Sequence, residues 1–400
     1  MKILLANNTQ IIANSYGGYG KQLHHLIKMF SEHGYEIYYF MFKTKINNNE
    51  PFTKMYTYDD FKELYTINQF PFVENDILKN IKYFTSQQDT ENEVYIQQLN
   101  MIIEENEIEK FFFLGDIFTF YVNNNMTISC PSYLWYPCHY YPFSDYDLKG
   151  LEFFHNVICL TPSMKLVLEE KYPEKRISYL PHVCEEIPIE LTKTELRQKW
   201  TFQQEQFVVT IVAQLSDTTF SNRKAIDVQL IAFNEFHKKC PNAFLFLHLK
   251  TYEEDEKIVE ELVKILDFNV SNFHWNKNNV FEEKDLFELY KLSDVVLNCS
   301  KSEGFGVPIV EAQMYETNVI TTNFLSMAEH NFQNNIIDYS SELRHFPLNG
   351  DWVMPSSTSI VTKLEEIYHS NDSKINRAKW MIKKLTSYEN IKENLYKIMN

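Results

Sequence analysis

The chain is 400 residues long, with 38 Lys and Arg against 54 Asp and Glu, a formal net charge of −16 and 44% hydrophobic residues. At about 100–200 residues per domain this predicts two or three domains with ample core, and the composition excludes a disordered polymer. The acidic balance excludes whole-surface attraction to nucleic acid or anionic lipid, so an anionic ligand needs cations placed locally; arginine stands only at 176, 197, 223, 344 and 377.

In chain order, residues 2–6 read as a buried strand that turns polar too early for a secretory h-region, and no apolar run reaches the ~18 residues of a membrane span. A polar segment with Gly17, Gly18 and Gly20 leads to Leu23, Leu26, Ile27 and Phe30 at helical spacing. Gly34 sits at the expected stop, and residues 36–41 return to strand, completing a β-α-β unit. Residues 44–100, polar and Asn-rich, read as helices and loops inserted on the sheet. Strands follow at 110–114, at 157–160 before a helix at 164–171, and at 177–180. After a charged break near 185–205 the alternation restarts with strand 207–213, helix 226–237, strand 244–248, helix 255–266 and strand 295–298. A helix bearing 311–315 and a strand at 319–321 close the series. Two such series predict an α/β protein of two Rossmann-like, doubly wound parallel-sheet domains, residues 1–190 and 191–375, facing across a cleft. The six cysteines form no C-x-x-C pair and lie mostly in apolar segments, which predicts reduced, buried thiols and a cytoplasmic compartment.

The most informative segment follows the strand at 295–298 and runs from Ser300 to Ala312. Gly304 and Gly306 let a ligand approach the backbone, and Pro308 suits the first turn of a helix whose free N–H groups hold an anion. Glu303 and Glu311 flank this diphosphate cradle. Carboxylates repel phosphate but accept hydrogen bonds from hydroxyls, so a nucleotide sugar matches the arrangement. A second segment, beyond strand 207–213, carries Gln214, then Arg223 and Lys224. Arg223 donates bidentately to phosphate and Lys224 adds a compact charge, both suited to a departing nucleoside diphosphate.

The stretch from Glu303 to Glu311, two glutamates around G-F-G-x-P, resembles the signature of glycosyltransferase family 4 (glycosyl transferases group 1), retaining enzymes of GT-B fold. The resemblance implies that Glu311 binds the donor ribose hydroxyls and Glu303 the donor-sugar hydroxyls, while the backbone at Gly304, Phe305, Gly306 and Val307 approaches sugar and diphosphate. In the family a G-R follows the strand and a K-G comes later; here Gln214 stands where the Arg is expected and Ala225 replaces the Gly, so Arg223 and Lys224 share both roles. Gly17 and Gly18 resemble the first-domain glycine loop near acceptor and diphosphate. His139 stands where the family often places a His or Asp near the donor sugar, with His182 a second candidate. Tyr388-Glu389 resembles the terminal Trp-Glu segment, which implies that a helix at about 376–400 crosses back to the first domain. Asp145-Tyr146-Asp147 satisfies the metal-binding D-x-D pattern, but it reads as a loop away from the cradle, and the cations at 223 and 224 can take the metal's electrostatic task; no metal and no cofactor are expected.

The implied activity is a retaining hexosyltransferase of carbohydrate biosynthesis. It moves a sugar from a nucleotide-diphosphate donor, a UDP- or GDP-sugar, to a hydroxyl of a carbohydrate or other acceptor. It has no nucleic-acid partner and no transmembrane segment. A GT-B epimerase or phosphorylase, and an inactive GT-B carbohydrate-binding scaffold, are the alternatives.

Overall fold

The structure, a computed structural model, describes residues 1–7, 18–41, 54–60, 75–86, 92–120, 126–143, 145–215, 222–251, 253–277, 281–345, 350–370 and 375–400. The chain divides into two compact units. One comprises Met1–Cys138, Phe143–Val183 and Ile391–Asn400, the other His139–Pro142 and Cys184–Asn390.

Among the described residues, the first unit holds strands β1 (Lys2–Asn7), β2 (Glu36–Met41), β3 (Lys82–Thr85), β4 (Lys110–Leu114), β5 (Ser132–Tyr136), β6 (Asn156–Cys159) and β7 (Arg176–Tyr179). They form one parallel sheet in the order β3-β2-β1-β4-β5-β6-β7. A parallel sheet covered on both faces demands unbroken apolar strands, and β1 is buried from Ile3 to Asn7. The helix Gly18–Glu32 buries Leu23, Leu26, Ile27 and Phe30, the predicted stripe, and Gly34 follows it at φ 77° in the left-handed region. Residues from Ile391 on pack here: the Tyr396 ring stacks on His33 at 3.9 Å, and Lys110 Nζ and Tyr133 OH donate to the Met399 carbonyl at 2.6 and 3.1 Å. Strand β3 corrects the reading of 44–100 as helices and loops only. Its Lys-Tyr-Phe-Thr run begins and ends on polar residues, so it lacks the unbroken apolar run that marks the equally short β6.

The second unit holds β8 (Phe207–Gln214), β9 (Ala243–Lys250), β10 (Phe273–Lys277), β11 (Val295–Asn298), β12 (Asn318–Thr322) and β13 (Ile336–Ile337), all parallel, in the order β10-β9-β8-β11-β12-β13. An antiparallel hairpin, β14 (Tyr339–His345) and β15 (Gly350–Pro355), follows. Val209 and Ile211 of β8 and Val295 and Leu297 of β11 are fully buried, in one core with Leu230 and Phe233 of the helix Ile226–Lys239. Tyr141 bridges to Asp351 of β15, and Gly350 makes room for its neighbour, since a Cβ there would lie 2.3 Å from Tyr140 Cδ2.

Both sheets thus follow the doubly wound order, with the reversal between β1 and β4 in one unit and between β8 and β11 in the other, which is the predicted fold class. In such sheets ligands sit beyond the carboxyl ends of the strands at the reversal. All six cysteines are buried and free of disulfides. Among the described residues no helix is long and apolar enough to cross a membrane.

Candidate functional site

Two loops leave the second sheet at its reversal, one after β8 and one after β11. β8 runs out at Gln214, which is exposed and in register with Lys250 of β9. Asn222 Oδ1 accepts the Ile226 N–H at 3.1 Å and so starts the helix Ile226–Lys239. Ala225, at φ 46° and ψ 43°, is left-handed. Glycine takes that conformation without penalty, so the alanine carries about 1 kcal/mol of strain. Gln229 joins the two loops: its Nε2 donates to the Lys224 carbonyl at 2.7 Å and its Oε1 accepts the Cys299 N–H at 3.2 Å. The Lys301 N–H donates to the Arg223 carbonyl at 2.8 Å.

That stitching brings Arg223, Lys224 and Glu303 together. Arg223 Nη1 lies 2.8 Å from Glu303 Oε2 and 2.7 Å from the Ser302 carbonyl. Lys224 Nζ bonds Glu303 Oε1, which also accepts from Ser300 Oγ at 2.8 Å. Burial alone would push the buried Glu303 carboxyl up; the Lys224 and Arg223 charges and their hydrogen bonds override it and hold the group at about 2. Two cations against one carboxylate leave this corner positive within an acidic chain.

Beyond Glu303 the loop turns into the helix Val307–Met314. Gly306 caps it at φ 79° and ψ 54°, where a Cβ would lie 2.5 Å from Ile309 Cδ1, so both conformation and space call for glycine. Pro308 stands in the first turn. Among the described residues, the N–H groups of Gly304 and Gly306 meet no protein acceptor. Glu311 is buried and accepts from Tyr290 OH at 3.3 Å; burial, then the Glu311 charge, push the Tyr290 hydroxyl upward.

The predicted residues therefore divide. Glu303, Arg223 and Lys224 form one hydrogen-bonded cluster. Gly304, Phe305, Gly306 and Val307 extend from it, and Glu311 lies on the helix they open. His139 groups with the second unit, its carbonyl accepting from Ser302 Oγ and its ring 6.3 Å from Trp352. Gly18 opens the helix Gly18–Glu32 of the first unit, and Gly17 lies outside the described residues. His182 is buried edge-on against Trp135 at 4.7 Å, in the first unit. Asp145 opens the helix Asp145–Glu152 rather than lying in a loop, and Asp147 is fully buried. Sequence reasoning missed Ser300, Ser302, Gln229 and Tyr290. The two serines stand inside the glycine motif and are its polar neighbours; nothing in sequence marks the other two.

No curated protein matches the chain in sequence. Residues 192–382, just under half of the chain, match the family model of glycosyl transferases group 1. Among solved structures, sucrose-phosphate synthase from Thermosynechococcus elongatus aligns over 100% of this chain and 98% of its own, at TM-score 0.71 and 12% identity. Anabaena HepE, in complex with UDP and glucose, covers 100% and 99% at 0.68 and 13%. The pneumococcal O-GlcNAc transferase GtfA, in complex with UDP and GlcNAc, covers 99% and 98% at 0.62 and 12%. The fold is GT-B. Together with the family match, the GT-B fold supports a glycosyltransferase of this type. The matched span contains Gln214, Arg223, Lys224, Glu303 and Glu311, whereas Gly17, Gly18 and His139 fall outside it.

Proposed function

We propose that this chain is a retaining, metal-independent hexosyltransferase of family 4 type, working in the cytoplasm on a nucleotide diphosphate sugar and an acceptor hydroxyl. The observation that carries the reading is the Arg223–Lys224–Glu303 cluster beside a glycine cradle, at the reversal of the second sheet. Arg223 and Lys224 meet the charge that grows on the departing diphosphate; removing one such preplaced donor costs about 10²–10³ in rate. Glu303 positions the donor sugar. A carboxyl held at about 2, with both oxygens accepting from cations, is a poor covalent nucleophile. Same-face attack fits better: the leaving phosphate oxygen takes the acceptor proton and the configuration is retained. Glu311 takes the ribose hydroxyls, Gln214 lines the donor side, His139 orients a sugar or acceptor hydroxyl, and Gly17 and Gly18 serve the acceptor side. UDP is the first donor nucleotide to try, since HepE and GtfA are each in complex with UDP; GDP is the second.

The test is incubation with UDP-, GDP- and ADP-sugars in EDTA, following nucleotide release and, with acceptor sugars present, the anomeric NMR signal. Release that survives EDTA, with retained configuration, is expected. Dependence on an added divalent ion, an inverted product, or binding without any turnover overturns the reading, the last in favour of a carbohydrate-binding scaffold.

A further inference from the structure

We infer that Ser326, which opens the one-turn helix Ser326–Glu329 after β12, and His330, which ends it, are positioning residues that hold two carbonyls of the 303–306 loop and thereby aim the Gly304 and Gly306 N–H groups at the donor diphosphate. This rests on the proposed function. Ser326 Oγ donates to the Glu303 carbonyl at 2.7 Å, and His330 Nδ1 lies 2.7 Å from the Phe305 carbonyl, its ring 4.3 Å from the Phe305 ring. A carbonyl only accepts, so Nδ1 carries the proton. In a planar trans peptide the C=O of one residue and the N–H of the next point to opposite sides. Fixing the Glu303 carbonyl therefore turns the Gly304 N–H away from Ser326, and fixing the Phe305 carbonyl turns the Gly306 N–H away from His330. Neither N–H meets a protein acceptor among the described residues, and the same holds for the N–H groups of Glu303 and Val307 beside them. Gly306 is buried, and a buried donor without a partner is costly unless a ligand uses it.

The pair is itself held firmly. Ser326 and His330 are 1% and 2% exposed. Leu325, just before Ser326, adopts φ 46° and ψ −136°, which non-glycine residues rarely take; such strain persists where its surroundings over-determine the backbone. Gln313 Nε2 donates to the His330 carbonyl at 2.8 Å, and its Oε1 accepts the Phe332 N–H at 2.9 Å. His330 Nε2 makes no hydrogen bond, so His330→Phe removes a single one. Ser326 and His330 act through the loop rather than on the donor.

A merely structural role would weaken every ligand alike. The experiment measures the affinity of UDP, GDP and ADP, and of their nucleosides, for wild type, Ser326→Ala, Ser326→Thr and His330→Phe, each checked by its ligand-free melting curve. For the diphosphate that wild type binds, Ser326→Ala and His330→Phe are expected to weaken it about tenfold, as loss of one orienting hydrogen bond does. The nucleoside is expected to stay within about twofold, and Ser326→Thr to restore diphosphate binding. Equal weakening of nucleoside and diphosphate, or none, overturns the inference and leaves the proposed function standing. Failure of wild type to bind any of the three diphosphates overturns both.

Discussion

Glu303 is buried, and an isolated buried carboxyl would stay neutral at neutral pH. Lys224 and Arg223 lower it from 4.5 to about 2. A carboxyl depressed in the folded state stabilises above its unfolded value and loses that contribution as pH falls through the folded one. Urea titrations of wild type and Glu303→Gln should thus differ by a near-constant amount above pH 4.5, a difference that narrows as pH falls towards 2. Near neutral pH the variant is expected to lose about 3–5 kcal/mol, because two cations are left without their carboxylate, and sugar transfer at least about 10²-fold; unchanged stability and transfer would contradict the cluster. Glu303, Arg223, Lys224 and Glu311 were legible in sequence because charged types beside glycines after apolar runs carry chemical meaning. Ser326 and His330 were not, since a side chain that binds a backbone carbonyl 23 or 25 residues away leaves no residue pattern.

Among the elements, β2, β4 and β11 span the residues that apolar patterning marks, because a strand buried on both faces must be apolar throughout. β3, β10 and β13–β15 escaped it: β13 is only two residues long, and the others mix polar with apolar residues, as in the Ser-Ser-Glu-Leu-Arg-His run of β14. The hairpin matters beyond its own residues, because Tyr141 pairs with Asp351 and Tyr140 fills the space over Gly350. In sequence Gly350 is only a turn residue. Gly350→Ala sets a methyl against the Tyr140 ring and is expected to cost about 1–3 kcal/mol, read as a lowered melting temperature. Transfer should fall further than stability alone explains, because the same segment carries His139. A variant as stable and active as wild type would show that the segment does not depend on this fit.

For the molecule as a whole, the net charge of −16 and the positive cluster at 223, 224 and 303 are compatible because the cluster is local and partly buried, where screening is weak. Residues 139–142 group with the second unit and 391–400 with the first, against their neighbours in sequence; apolar patterning marks neither, and only the family resemblance implied that the end of the chain crosses back. Deleting residues 391–400 removes the buried Ile391, Leu395 and Met399 and the carbonyl that serves Lys110 and Tyr133. Each large buried side chain is worth about 2–5 kcal/mol, so the sum rivals the whole stability of a domain, about 5–15 kcal/mol. The truncated protein is expected to show early melting and proteolysis confined to the first unit; a melting curve like that of wild type would refute it. There is also a consequence in time. Domains made early on the ribosome usually fold first, but here residues 391–400 emerge only after all of the second unit, so the unit begun first is the one completed last.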